Sequence, residues 1–221
     1  MVANLIIIGA GGHARSAIDV VESDSKYQID CLYDPTARDE GYVFGYPVYP
    51  ASVGLAELIR RRSCAVFIAV GDNFHRQRLH QEVSASIEQV SFATLVHKRS
   101  SVSARAAVGA GCIVMAGAIV NAGSTLGVGV IVNTNASVDH DCSIHDFVSL
   151  APGAVLGGSV SIGARTSVGL GAQIIHAVTL ANDVVIGAGS LVRTSITQEL
   201  SVAYGQPARV VRQRAADEPY L

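Results

Sequence analysis

The chain has 221 residues, enough for one large domain or two modest ones. Its 16 Lys+Arg against 18 Asp+Glu give a formal net charge of −2, and no polybasic stretch argues for nucleic acid or a membrane surface as partner. A hydrophobic fraction of 49% with 15% charged residues suits a large buried fraction or oligomer faces. The opening MVANLIII lacks a basic flank and is too short for a signal peptide or a membrane span. Cys31, Cys64, Cys112 and Cys142 fall singly, without metal-type spacing, as reduced core residues of a cytoplasmic protein do.

Residues 1–92 read as an α/β domain. Leu5–Ile8 is a short apolar strand, and Gly9-Ala-Gly-Gly-His13 turns it into a helix over Ala14–Glu22. A second strand, Ile29–Tyr33, closes on Asp34-Pro35. Ser52–Arg62 reads as a helix with Ser52 as N-cap, and Ala65–Val70 as a third strand. Gly71-Asp72-Asn73 then opens a helix over Phe74–Val83. Strands alternating with helices imply a small parallel sheet, a Rossmann-like half. The loops at Gly11, Gly12 and His13, at Asp34, and at Gly71 all fall at the carboxyl edge of that sheet, where open α/β sheets bind ligands. A glycine turn before a helix can bring phosphate to backbone N–H groups, although GxGG also serves merely to turn a chain. Asp34 can take a ribose hydroxyl or simply cap a turn. The unit is too short for a full dinucleotide fold, so a single nucleotide or nucleotide-sugar fits better.

From Val96 to Val192 one aliphatic residue stands at every sixth position, 17 hits in 17, so neither a helix nor a plain strand pattern explains the run. A period of six is that of a parallel β-helix, whose turns bury an apolar column only by stacking. The position two before each column residue is small or β-branched. The position after it is often Gly (Gly109, Gly127, Gly157, Gly163), which suits the backbone conformations of a tight corner. The pattern resembles the left-handed β-helix of the hexapeptide acyltransferases, which implies three hexads per triangular coil of eighteen residues. Residues 93–195 form this domain and 196–221 a C-terminal tail.

Most polar solenoid residues, Asn121, Asn133 and Asn135 among them, read as corner caps or stacked ladders. Val138-Asp-His140-Asp-Cys142 differs. His140 lies two past a column residue, near a corner, and Asp141 beside it can orient the imidazole and raise its basicity. A lone surface histidine is usually only solvated, but one eighteen-residue coil further on stands Gly158. A missing side chain beneath a candidate base leaves room for a substrate, and its N–H can stabilise an oxyanion on an attacked acyl carbonyl. Cys142 faces inward, which argues against a thiolate nucleophile.

End to end, the chain resembles the PglD/NeuD-type sugar acyltransferases. GAGGHAR is similar to the family's opening glycine turn and FIAVGDNFHRQRL to its AxGxNxxR segment. VNTNASVDHDCSI is similar to its catalytic coil, and PGAVLGGSVSIGA and YGQPARVV to its later coils and tail. The resemblance implies an acetyl-CoA-dependent transfer to the amino group of a nucleotide-linked 4-amino-deoxy sugar, or in the NeuD branch to a sialic-acid hydroxyl. It also implies a homotrimer with active sites between subunits. By position it makes His140 the general base and Asp141 its supporting acid. Gly11, Gly12, His13, Asp34 and Pro35 become nucleotide-sugar contacts, with Gly71 beside them. Gly158, Ser161 and Asn182 fall where acetyl-CoA is held, largely through backbone groups.

Two departures stand out. Where the family has His in an FxHIxPG segment, this chain has Ser149, in Phe147-Val-Ser149-Leu-Ala-Pro152, a hydroxyl without an imidazole. His145 stands where Gly is usual. The five-residue separation of His140 and His145 also matches solenoid γ-carbonic anhydrases, but the third zinc ligand falls on Ala104, so no metal is expected. A non-catalytic nucleotide-binding scaffold is the remaining alternative.

Overall fold

A computed structural model describes residues 3–24, 26–62 and 64–219; the first two residues of the opening stretch and the last two of the tail lie outside them. The amino-terminal sheet contains β1 (Ala3–Ile8), β2 (Tyr27–Asp34), β3 (Gly41–Val43), β4 (Tyr46–Pro50) and β5 (Ala65–Ile68), in the order β3-β4-β2-β1-β5. All pairings are parallel except the β3–β4 hairpin. The uninterrupted Leu-Ile-Ile-Ile of β1 is explained by burial on both faces: Leu5 and Ile7 pack against α1 (Gly12–Ser23), Ile6 and Ile8 against the opposite core with α2 (Leu55–Arg62) and α3 (Asn73–Ser86).

Three local expectations change. The helix expected over Ser52–Arg62 is split: Ala51–Val53 is a single 3₁₀ turn, Gly54 follows with φ 75°, and α2 begins only at Leu55. A left-handed residue cannot continue a right-handed helix, so Ser52 lies inside the turn and is not an N-cap. The third strand ends at Ile68, two residues early, and Ala69, Val70 and Gly71 line the cavity at the sheet edge instead. The β3–β4 hairpin, with Phe44-Gly45 at its tip, was not anticipated, since its strands are short and mostly half-buried, without a clear apolar alternation.

The solenoid is the parallel β-helix expected from the sixfold period, with the left hand that the resemblance implied. Two-residue strands run from β6 (Leu95–Val96) to β22 (Leu191–Val192) and form three parallel sheets, each strand pairing with the one three further on. Ser137↔Val155 and Val138↔Leu156 show the register, one coil per eighteen residues. Column residues such as Val138, Leu150 and Ile162 are fully buried, as are the small residues two positions before them, such as Ala118, Ala136 and Ala154.

The glycine after the column residue has a different cause from the one expected. Gly109 and Gly163 do not adopt a left-handed φ. A Cβ on Gly109 would lie 2.4 Å from the Gly127 carbonyl oxygen, and one on Gly163 2.5 Å from the Ala181 carbonyl carbon. Close stacking of coils, rather than corner conformation, excludes a side chain there. The left-handed residues sit two positions later, as at Gly123 (φ 76°), Asp141 (φ 58°) and Phe147 (φ 57°).

The two parts pack directly. Ile113 and Ile131, on outward positions of one solenoid sheet, join Leu5, Ile7 and the buried face of α1 in one apolar cluster. Helix α3 runs along the adjoining corner, where His80 stacks on Phe92 with ring centroids 3.9 Å apart and meets Phe147 edge-on.

Candidate active site

His140 occupies the corner between β13 (Ser137–Val138) and β14 (Ser143–Ile144). Its Nδ1 is 2.8 Å from Asp141 Oδ2. Asp141 reaches back to its neighbour because it is in the left-handed conformation, which Asp tolerates better than most residues. The carboxylate also needs space above it. A Cβ on Gly123, in the preceding coil, would lie 2.3 Å from Asp141 Oδ1. Asp139 Oδ1 accepts from the backbone N–H of His140 at 2.8 Å and from Asn121 Nδ2 at 3.0 Å. The bond to Asp141, then the charge of Asp139, raises the His140 pKa above its ordinary value.

Gly158 lies directly beneath, as the eighteen-residue register requires. A Cβ there would sit 2.6 Å from both Cε1 and Nε2 of His140, so only glycine accommodates the ring in this position. With Nδ1 turned to Asp141, Nε2 faces a groove of about 560 Å³ lined by His140, Gly157, Gly158, Ser159 and His176. The Gly158 N–H donates to no acceptor among the described residues, whereas the neighbouring Gly157 and Ser159 N–H groups are bonded to Ile174 and His140 carbonyls. A base and a free N–H donor therefore face one groove. Cys142 is buried, with Sγ near the Gly157 carbonyl oxygen at 3.3 Å, and burial raises its thiol pKa, so it supplies no ready nucleophile.

A second cavity, of about 420 Å³, opens at the carboxyl edge of the amino-terminal sheet. β1 pairs with β2 on one side and β5 on the other, so the loops after β1 and β5 diverge there, as at a topological switch point. Gly11, Gly12, His13, Asp34, Pro35 and Gly71 all line it, joined by His75 and Arg78 of α3. Gly9, with φ 109°, makes the turn; a Cβ on it would lie 2.9 Å from the Ala69 carbonyl oxygen. Gly11 caps α1 without a side chain, leaving first-turn N–H groups for a ligand. Asp34 braces the loops: Oδ2 accepts from the Ala10 N–H at 2.9 Å, and Oδ1 accepts from the Thr36 N–H and hydroxyl. Burial pushes its carboxyl up, but these bonds outweigh it and hold the pKa below the ordinary value. The turn-capping role of Asp34 is thus present; Oδ1 already accepts twice, and Oδ2, with one donor, retains capacity for another. Burial, then the Arg76 charge, pushes His13 down to about 4, and its Nε2 is buried with no partner among the described residues.

The remaining expected positions are scattered. Ser149 lies in β15 (Ser149–Leu150), on a different sheet from the strands flanking His140, with Oγ 3.2 Å from Ser167 Oγ. Ser161 begins β17 (Ser161–Ile162), paired with β14. The Asn182 amide is committed within the chain, accepting from the Ala164 N–H at 2.8 Å and donating to Glu199 at 2.7 Å. His145 is exposed and begins the next corner after β14. Sequence reading missed Asp139, Gly123 and His176, which an eighteen-residue stacking table would have placed around His140. Asn73 and Arg76 of α3 entered only as the polar positions of the AxGxNxxR-like segment, without the role the structure gives their side chains, which reach the solenoid.

Among the described residues no group of three or more His, Cys, Asp or Glu side chains could hold a metal ion, and no helix is long and apolar enough to cross a membrane.

Residues 4–83 match the PglD N-terminal domain. A histidine-to-asparagine variant of perosamine N-acetyltransferase from Caulobacter crescentus, solved with CoA and GDP-perosamine, is 32% identical, with a TM-score of 0.88 covering 96% of this chain and 99% of that one. The chain belongs to the PglD/NeuD-like sugar acyltransferase family. The acetyltransferase domain of PglB from Neisseria gonorrhoeae, solved with acetyl coenzyme A, is 34% identical, with a TM-score of 0.86 covering 96% of this chain and all of that one (100%). WeeI from Acinetobacter baumannii, at 22% identity and a TM-score of 0.82 over 94% of this chain and 99% of that one, shares the fold. No curated protein matches the chain.

Proposed function

We propose that this protein transfers acetyl from acetyl-CoA to the amino group of a nucleotide-linked 4-amino-deoxy sugar. The observation that carries the reading is the His140–Asp141 pair held over Gly158, with Nε2 and a free backbone N–H on one open groove. The relatives solved with CoA, acetyl coenzyme A and GDP-perosamine support the substrate classes. The cavity lined by Gly11, Gly12, His13, Asp34, Pro35 and Gly71 supplies what a nucleotide diphosphate and ribose need: helix N-terminal N–H groups, a carboxylate, and the Arg78 guanidinium at the rim.

The transfer is direct. As the amine nitrogen bonds to the acetyl carbon, His140 Nε2 takes an amine proton, and Asp141 stabilises the imidazolium through Nδ1. The carbonyl oxygen gains negative charge and accepts from the Gly158 N–H. Collapse breaks the carbon–sulfur bond, and the proton on His140 passes to the departing thiolate. Gly158, Ser161 and Asn182 line the CoA path in this reading, with Ser149 contributing a hydroxyl from a neighbouring wall.

The nucleotide-type cavity and the His140 groove share no lining residue. This separation, together with exposed Ile119 and Val155 on the solenoid sheet that contains β13, supports a homotrimer in which the sugar held by one subunit meets His140 of the next. The test is a panel of UDP-, GDP- and dTDP-linked amino-sugars assayed for CoA thiol release. One member turned over and recovered as the N-acetyl product is the expected result. CoA binding without release for any member would sink the reading, and acetylation of a hydroxyl would correct the acceptor.

A further inference from the structure

Helix α3 carries a buried guanidinium that joins the two parts of the molecule. Arg76 is 2% exposed. Its Nη1 donates to the carbonyl oxygens of Val70 at 3.0 Å and Gly71 at 2.8 Å, both residues of the nucleotide-type cavity. Its Nε donates to the Gly129 carbonyl oxygen and its Nη2 to that of Phe147, both at 2.9 Å. Gly129 and Phe147 are equivalent left-handed corner residues, one coil apart. The solenoid's own backbone ladder offers their carbonyls no donor. Asn73 extends the contact. Its Oδ1 accepts from Arg76 Nη2 at 2.7 Å, while its Nδ2 donates to the Arg165 and Thr166 carbonyls of the following coil.

We infer that Arg76 is a positioning residue for acetyl transfer, its planar fork fixing the Gly71 loop of the nucleotide cavity to the solenoid coil that carries His140. The inference rests on the acyltransferase reading above. Phe147 lies seven residues after His140 in the same coil, so the fork sets where the nucleotide loop stands relative to the transfer machinery of its own subunit. In a closed trimer that spacing propagates to the neighbour's groove, because every subunit is placed by the same solenoid. An ammonium cannot replace the fork. Lysine's donors radiate from one nitrogen, whereas the acceptors are spread around the edge of the planar group and use all three guanidinium nitrogens. Apolar packing would hold the domains together without desolvating a charge, so a buried cation here is a costly choice for adhesion alone. The same charge adds to burial in keeping His13 neutral.

The test compares wild type, Arg76→Lys and Arg76→Gln in the thiol-release assay, with folding checked by circular dichroism. Arg76→Lys is expected to lose roughly 10- to 100-fold in kcat and to raise KM for the nucleotide-sugar, the scale of effect that a misplacement near 1 Å produces. CoA affinity is expected to stay within about twofold, because its groove does not touch α3. The His13 titration, followed by NMR, is expected to move up in Arg76→Gln. Wild-type kcat and KM in folded Arg76→Lys would overturn the inference and leave Arg76 as structural glue. An inactive wild type would instead overturn the proposed function. If Arg76→Lys does not fold, Asn73→Ser removes one acceptor of the fork and the Arg165 contact. It is read in the same way: a loss of about tenfold in kcat supports the inference, and wild-type kinetics overturn it.

Discussion

Gly158→Ala isolates the geometry of the proposed base from its chemistry. Gly158 does not adopt a left-handed φ, so alanine brings no backbone strain there, and the added methyl is the whole perturbation. That methyl would stand 2.6 Å from His140 Cε1 and Nε2, against an ordinary contact of about 3.4–4 Å. The ring must move by about 1 Å, or rotate out of the groove, and either motion pulls Nδ1 from its 2.8 Å contact with Asp141. A displacement of this size costs on the order of 10²-fold in kcat. Because the site is open, the fold itself loses little. The assay is steady-state thiol release with the amino-sugar varied, accompanied by a thermal melt and an NMR titration of His140, whose pKa is expected to fall toward the ordinary value as the Asp141 bond is lost. Activity within about threefold of wild type, with an unmoved melt, would refute the reasoning. It would mean that the ring has other productive positions.

Three further outcomes follow from the same geometry. Asp141→Asn removes the main cause of the raised His140 pKa, so the acid limb of the kcat/KM profile is expected to shift to lower pH while the plateau drops, by less than in His140→Ala. His13 is held at about 4 in the folded state, below its unfolded value near 6.5. The unfolded chain then binds the proton more readily. The stability from neutral His13 is complete above pH 6.5 and lost as pH falls toward 4, about 2 kcal/mol between pH 7.5 and 5. Denaturant unfolding of wild type and His13→Leu at the two pH values checks this, and equal losses would contradict it. Chelators are expected to leave turnover intact and His145→Ala to be mild; loss of activity in EDTA restored by zinc would revive the metal reading.

The solenoid was legible from arithmetic on the sequence, and the His140–Gly158 pairing once the resemblance supplied three hexads per coil. A period of six gives the column, and eighteen residues give the neighbour in the next coil. The role of glycine was harder to read, since composition does not say whether its freedom or its smallness is required. At Gly109 and Gly163 smallness decides, whereas at Gly123 both the left-handed φ and the space for Asp141 matter. The Ser52 cap failed because Gly54 interrupts a segment whose polar and apolar spacing otherwise suits a helix. The AxGxNxxR-like segment flagged Asn73 and Arg76, but their bridge to the Gly129, Phe147 and Arg165 carbonyls was not legible because its acceptors are backbone atoms, which carry no sequence signature. Asp34 showed the converse limit, since one carboxylate at a strand end suits both loop bracing and ribose recognition.

The central claim is that His140 accepts the amine's proton. It is tested most directly by comparing kcat of wild type and His140→Ala on whichever nucleotide-linked amino-sugar the wild type acetylates fastest, with CoA affinity measured alongside. The account predicts a fall of roughly 10²–10⁴-fold in kcat with CoA binding unchanged. Wild-type turnover in His140→Ala would contradict it and show that the amine loses its proton elsewhere.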